Sequence, residues 1–422
     1  MKNAIKPLAM LAASLAASLQ ACGGEGRAPS RPPAIPGAIG GEVRYLAANG
    51  NDDNDGKTPS TAWRTVERLN AGLPAGGTAL LRCGDVFYGN IRVKGGADSA
   101  HRTTITSFGD GPKPVISCVK ILRNDPGMWR AESTIYNKWS MDLANPSNYT
   151  GLASADANPG FLLVDGAVKP WKKFSHHDVN AQWDFAGEDG RLYVHSTNNP
   201  ALLAHDIRVA VNVRGIKLAS HMAVSNIAVR GTGAHGMYNG WSKVPSFDMR
   251  ISDCTFENIG GSELLGHGKI RVRYGNGVEF GSNCADAIVE RCEFRGIYDV
   301  AFTMQGVPSA TGWNDIHMRD CLVADSTQAF EIWCQNAPPG VGFKRCSFTG
   351  NRTVNVGGGW GALTRPNRQT ATPLLIYFME TDTVDITVTG NTFENMSRGL
   401  IFNLGGADKI PPGYRIYGNT IK

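Results

Sequence analysis

A short pattern recurs through the second half of the chain and limits its fold more than any other feature. Its copies are Ile251-Ser-Asp-Cys-Thr-Phe256, Val289-Glu-Arg-Cys-Glu-Phe294, Met318-Arg-Asp-Cys-Leu-Val323, Phe343-Lys-Arg-Cys-Ser-Phe348, Val388-Thr-Gly-Asn-Thr-Phe393 and Ile416-Tyr-Gly-Asn-Thr-Ile421. Each sets an apolar residue before two mostly polar ones, then Cys or Asn, one variable residue and a second apolar one. A weaker copy, Val224-Ser-Asn-Ile-Ala-Val229, precedes them. The anchors fall at 227, 254, 292, 321, 346, 391 and 419. The shortest separations are 25 to 29 residues, and the gaps of 38 and 45 leave room for loop insertions. Short alternating strands and Asn/Gly turns at such a period make a β-solenoid. The apolar stripe at 3.6-residue spacing that helical repeats require is absent.

One coil cannot bury its apolar face alone. Stacking predicts one inward file of Phe256, Phe294, Val323, Phe348, Phe393 and Ile421. A second file holds Cys254, Cys292, Cys321 and Cys346, continued by Asn391 and Asn419. The 51 glycines and 22 prolines among 422 residues suit many short strands and turns, and 42% hydrophobic residues suffice for a large core. Beyond Cys22 there are eight cysteines: Cys83, Cys118, Cys254, Cys284, Cys292, Cys321, Cys334 and Cys346. An even number in an exported chain invites disulfides, but four of these share one repeat position and alternate with Asn. They read as small buried thiols, with bridges between adjacent coils as the alternative. No Cys or His cluster has zinc-site spacing.

Three segments carry a family resemblance. The first is Arg44-Tyr-Leu-Ala-Ala-Asn-Gly-Asn-Asp-Asp-Asn-Asp-Gly56 with Thr58-Pro59, Ala62-Trp63 and Thr65. The second is Gln182-Trp-Asp-Phe-Ala-Gly-Glu-Asp-Gly-Arg-Leu-Tyr-Val194 with Asn199-Pro200, and the third is the set of coils. Together they resemble the pectate-lyase-like superfamily of bacterial right-handed parallel β-helix proteins that process polysaccharides. The resemblance implies an all-β, single right-handed parallel β-helix over residues 43–422, with loop insertions on one face. It implies a polysaccharide substrate and no one reaction, and no segment matches a catalytic signature that transfers residue by residue.

The N-terminus reads as an export signal. Lys2 and Lys6 precede an apolar stretch, Leu8 to Leu19, too short to span a bilayer stably. Leu19-Gln20-Ala21-Cys22 resembles a bacterial lipobox, which implies a signal peptide over 1–21 and lipidation of Cys22. The Gly/Pro-rich residues 22–42 then form a tether. The expected location is the outer membrane or periplasm, with a lipid anchor as the one membrane contact; simple secretion is the alternative. Losing the signal lowers the formal charge from +5 to about +3, a balance that gives no argument for nucleic acid.

In a β-helix, outward side chains of successive strands stack about 4.8 Å apart, so a site is a column. Aligning inward Val278 and Phe280 with Phe302 and Met304, and these with Phe330 and Ile332, makes Glu279, Thr303 and Glu331 one outward column. Tyr238 falls one rung before Glu279, and Gly281, Gln305 and Trp333 fill the next outward position. Two rungs separate the two carboxylates by about 9.6 Å of backbone. Inverting glycoside hydrolysis needs carboxyls about 6.5–9.5 Å apart, with a water between acid and base. Tyr238 and Trp333 would give flat faces for sugar rings. The bland alternative is that both glutamates are solvated and paired with arginine.

The insertion Gly260–Gly275 carries Lys269, Arg271 and Arg273 on one strand parity, followed by Tyr274. Such a row could bind substrate carboxylates, or Lys269 or Arg271 could act as the base of a β-elimination. A second insertion, Gly357–Arg368, brings Trp360 and Arg365 toward the same groove, and Trp313 is a further candidate wall. Asp299 shares the outward parity of Thr303 but lies four residues earlier, more than about 10 Å away along the strand. Asn51–Gly56 partly follows a calcium-loop pattern, but its twelfth position is Ala62 instead of Glu. A capping turn is the preferred reading there.

The expected function is therefore cleavage of glycosidic bonds in an extracellular polysaccharide, acidic or neutral, by a monomeric enzyme. Hydrolysis by Glu279 and Glu331 stands slightly ahead of β-elimination by Lys269 or Arg271. A uronate C5-epimerase and a non-catalytic polysaccharide-binding scaffold are the other readings. The sequence requires no cofactor and leaves calcium open.

Overall fold

The computed structural model describes residues 41–422 except 267–270, 367 and 407–408. Cys22 and Lys269 lie outside the described residues. Among the described residues no helix is long and apolar enough to cross a membrane.

Three parallel sheets of ten, nine and seven strands run along the chain. One coil visits each sheet in turn: Cys284–Glu290 in the first, Glu293–Ile297 in the second and Val300–Gly306 in the third. The next coil, Gly312–Arg319, Leu322–Ala324 and Gln328–Cys334, settles onto it in parallel register. The result is a right-handed parallel β-helix. Inward aromatic rings stack from rung to rung, with Phe256 and Phe294 4.5 Å apart and Trp313 and Phe343 4.7 Å apart.

The corner between the first and second sheets needs one left-handed residue per coil. Asp253, Arg291, Asp320, Gly350, Gly390 and Gly418 hold it, with φ between 50° and 67°. Asn, Asp and Gly bear that conformation at least cost. The next residue forms an internal ladder. Backbone N–H groups donate from Cys254 to Cys292 Sγ (3.4 Å), Cys292 to Cys321 Sγ (3.3 Å) and Cys321 to Asn351 Oδ1 (2.9 Å). The ladder goes on from Asn351 to Asn391 (2.8 Å) and from Asn391 to Asn419 (2.9 Å).

Two sequence assignments fail here. Cys346 is not on the ladder, where Asn351 takes its place, and Phe348 is not in the second-sheet file. Phe348 pairs with Met318 and Val388 on the first sheet, while Thr353 sits between Val323 and Phe393. The reason is a second left-handed bend inside the first-sheet strands, at Asp248, Asp286, Asp315 and Arg345, with φ from 51° to 58°. Arg345-Cys346 copies the corner Arg291-Cys292 but lies at that bend, so Cys346 falls beside Ile386. All eight described cysteines are free thiols, seven of them buried.

The solenoid is also interrupted. Residues 119–211 do not coil; they form five- and four-stranded antiparallel sheets with their own core. Two-residue Asp-Gly turns close two of its hairpins, at Asp165-Gly166 (φ 48° and 79°) and Asp189-Gly190 (49° and 75°). Such turns match the twist of antiparallel strands. The coils close over the insertion, since Thr103–Phe108 pairs with Met222–Ser225 and Val115–Ser117 with Ala228–Thr232. The insertion meets the hairpin of Ser262–Leu264 and Val272–Tyr274 through Gly160, where a Cβ would lie 2.4 Å from the Gly260 carbonyl oxygen. Asp52, in the calcium-like segment, accepts from the N–H groups of Arg64 and Thr65 and the Thr65 hydroxyl, as a capping turn does.

The ladder register has a direct check. Cys321→Asn extends the amide ladder and should change stability by about 1 kcal/mol or less. Cys346→Asn buries an unmatched amide and should cost about 2–4 kcal/mol. Urea unfolding of the two variants measures the difference, and equal costs would contradict the register.

Candidate active site

The outward face of the third sheet carries the column expected from the sequence. Tyr238 pairs with Glu279, Glu279 with Thr303, and Thr303 with Glu331, while Gln305 pairs with Trp333. The column is not an open groove. Glu279 is 4% exposed, Glu331 7% and Thr303 0%, in place of the solvated surface that alternation implies. Trp241 bonds Glu279, Tyr274 of the hairpin packs on His235, and Arg365 binds Asp299 beside Glu331, so outward residues are here covered by other chain.

Each carboxyl has a defined set of partners. Glu279 Oε2 accepts from Asn276 Nδ2 (3.0 Å) and from Gln305 Nε2, and lies 3.3 Å from His235 Nε2. The Asn276 N–H donates to His235 Nδ1 at 3.2 Å, which places the ring proton on Nε2, facing the carboxyl. Burial and Arg214 hold the His235 pKa down at about 3, so the ring beside the carboxyl is neutral. Burial raises the Glu279 pKa to about 7, against the opposing pull of Arg214 and its hydrogen-bond donors, Trp241 among them. Glu331 is also pushed up, by burial first and then by the charge of Asp299, with Arg365 and a Thr303 hydrogen bond opposing. Asp299 therefore belongs to the cluster despite its offset along the strand. It is bound to Arg365, which the second insertion brings in. Among the described residues no group of His, Cys, Asp and Glu side chains could hold a metal ion.

Aromatic residues flank the cluster. Trp241 is 52% exposed and lies 5.0 Å from Trp333, which in turn sits 6.4 Å from Phe378. The Trp333 Nε1 is buried without a hydrogen-bond partner. Tyr274 is buried 5.0 Å from His235, and its hydroxyl donates to Asn212 Oδ1 at 2.6 Å.

Several expected site residues take other work. Arg271 cannot be a base, because a bidentate pair with Glu263 raises its pKa. Arg273 is not offered to substrate; its guanidinium donates to the Gly261 and Gly160 carbonyls and lies 4.6 Å over the Tyr298 ring. Trp313 is fully buried and donates to the Phe280 carbonyl, because its strand faces the core of the first sheet. Trp360 packs on Phe161 and Tyr298 and bonds the Gly296 carbonyl, wedging the insertion against the coils. Sequence reasoning missed Arg214, His235, Asn276 and Trp241 as site residues. Asn276 and Trp241 stand three residues from column positions, which is the one signal they give. Arg214 gives none, since a corner residue acquires its neighbours by stacking.

No family model matches the chain, and no curated protein matches it. Among solved structures it is similar to a GH136 lacto-N-biosidase from Eubacterium ramulus, at 11% identity and a TM-score of 0.41, covering 90% of this chain and 67% of that one. It is similar to XylC in complex with xylose at 12% and 0.40, covering 83% and 65%. It is also similar to an alginate lyase from Paenibacillus at 11% and 0.39, covering 85% and 93%. The chain thus spans about two thirds of the first two. The class defined here is the parallel β-helix, and the roles of its residues rest on their own geometry.

The raised Glu279 pKa has a consequence for stability. Below about pH 4.5 folded and unfolded chains both hold the proton. Between there and about 7 only the folded chain does, so folding loses stability as pH rises, by about 3 kcal/mol at most. Glu279→Gln should remove that loss. Chemical unfolding should show the variant gaining on the native chain from pH 4.5 to about 7; a constant gap would contradict the raised pKa.

Proposed function

We propose that this chain is an exported enzyme that hydrolyses glycosidic bonds in an extracellular polysaccharide, with inversion. The observation that carries the reading is the pair of buried carboxyls two rungs apart, both holding protons above the usual range. Their environments separate the roles. Glu279 has two amide donors on one oxygen, with the Trp241 indole and Arg214 also favouring its charged form, so it gives up its proton first and acts as base. Glu331, with Asp299 behind it, keeps its proton and acts as acid. Glu279 takes a proton from water, whose oxygen bonds to the anomeric carbon. The glycosidic C–O bond breaks, and the leaving oxygen takes the proton of Glu331.

Trp241 and Trp333 supply the sugar platform. The Trp241 indole bonds Glu279 on one side and faces solvent on the other, so its displacement opens the carboxyl to a sugar. The β-elimination alternative has lost Arg271 as its base. Lys2 and Lys6 before the apolar run, with Cys22 at the lipobox-like site, support export and lipid anchoring.

Incubation with a panel of neutral and acidic exopolysaccharides should release reducing ends without an unsaturated, ultraviolet-absorbing product. Glu279→Gln and Glu331→Gln should each lower kcat by about 100-fold or more. Full activity in both variants would remove these carboxyls from the mechanism, and an unsaturated product would establish a lyase. In the native enzyme kcat/KM should rise as Glu279 ionises through about pH 7 and fall at higher pH as Glu331 loses its proton.

A further inference from the structure

The outward column of the third sheet runs past the carboxyls at both ends. A bridge between Ile91 and Ile216 sets Arg92 beside Lys217, Lys217 pairs with Tyr238, and Tyr238 pairs with Glu279. Beyond Glu331 come Leu375 and Phe402. From one end to the other the column reads Arg92, Lys217, Tyr238, Glu279, Thr303, Glu331, Leu375 and Phe402. One end is cationic, the other apolar, and the carboxyls lie between.

The charge at the cationic end is not neutralised. Arg92 and Lys217 are exposed, and neither they nor Arg214 make an ion pair among the described residues. On the first sheet, by contrast, arginines are matched to carboxylates of nearby rungs: Arg250 to Asp286, Arg345 to Asp315 and Arg415 to Asp385. Arg214 leans over the same rungs, its guanidinium 4.9 Å above the Tyr238 ring and its Nε buried with no partner. Tyr238 lies in the field of both Arg214 and Arg92. Two exposed cations without ion-pair partners, Arg92 and Lys217, thus lie within three rungs, about 14 Å, of Glu279, and Arg214, whose charge also acts on Glu279, leans over the rung between.

We propose that these rungs form an anionic-sugar subsite, and that the substrate is an acidic polysaccharide carrying carboxylates. The inference rests on the cleavage reading for its orientation: the acidic sugar on Arg92, Lys217 and Arg214 neighbours the one cut between Glu279 and Glu331. Arginine forks suit carboxylates because two parallel N–H groups meet two oxygens. The apolar end, with Phe402 and the Trp333–Phe378 pair, takes the flat face of a sugar without charge.

The probes are polygalacturonate, alginate and carboxyl-reduced polygalacturonate, bound to the full chain carrying Glu279→Gln and Glu331→Gln so that no cleavage intervenes. At least one acidic polymer should bind about tenfold or more tighter than the reduced one, with an advantage that shrinks as salt rises. Arg92→Gln with Lys217→Gln should abolish that discrimination, while Arg92→Lys with Lys217→Arg should keep it, which excludes misfolding as the cause. Equal binding of acidic and reduced polymers, no binding of either acidic polymer, or discrimination that survives the glutamine pair would each overturn the subsite. The two proposals separate cleanly. Reducing ends from neutral glycans alone would leave hydrolysis standing without the subsite, and charge-dependent binding without cleavage would leave the subsite without hydrolysis.

Discussion

Everything in this molecule depends on the hydrogen bond between one coil and the next. Parallel pairing fixes which residues of successive coils are neighbours, and the internal Cys/Asn ladder pins that register at the corner. Its amide half is the stronger, since Asn351 accepts from the N–H of Cys321 and donates to the Met318 carbonyl. A thiol accepts weakly, so the Cys254–Cys292–Cys321 stretch relies more on ring stacking such as Phe256 on Phe294. Residues far apart in sequence become a column only because this register does not slip.

Burial then gives the column its chemistry. An outward glutamate on a bare sheet face would be solvated and ionised. Here the added segments remove water, and the cost of charging a dry carboxyl raises both pKa values. The same burial empties His235 of its charge and leaves a neutral ring 3.3 Å from the Glu279 carboxyl. Arg365, carried in on a separate insertion, balances Asp299, so that a cluster of three carboxyls can exist without three uncompensated charges.

The insertions are what turn a regular solenoid into a site. The antiparallel unit over 119–211 and the hairpin lock together through Arg273, which donates to the Gly160 carbonyl, and through Asn158, whose side chain donates to the Glu263 carbonyl and accepts from the Glu263 N–H. Trp360 wedges the second insertion against Phe161. Side chains that looked like substrate ligands in the sequence are spent on holding the cover in place.

The repeat period and the inward alternation decided, by themselves, that this chain is a β-helix and that Glu279, Thr303 and Glu331 share a column, because both follow from the two-residue period of a strand. They could not decide the fourth coil, where the bend at Arg345 imitates the corner at Arg291. The repeat has no copy in residues 119–211, and nothing in it marked them as an antiparallel unit inside the expected β-helix or said where that unit would lean. Nor could any local pattern show that Arg214 would approach Glu279, that Asp299 would act on Glu331, or that the outward column would be dry. Those facts arise from contacts between segments on different coils, and only the packed structure brings such segments together.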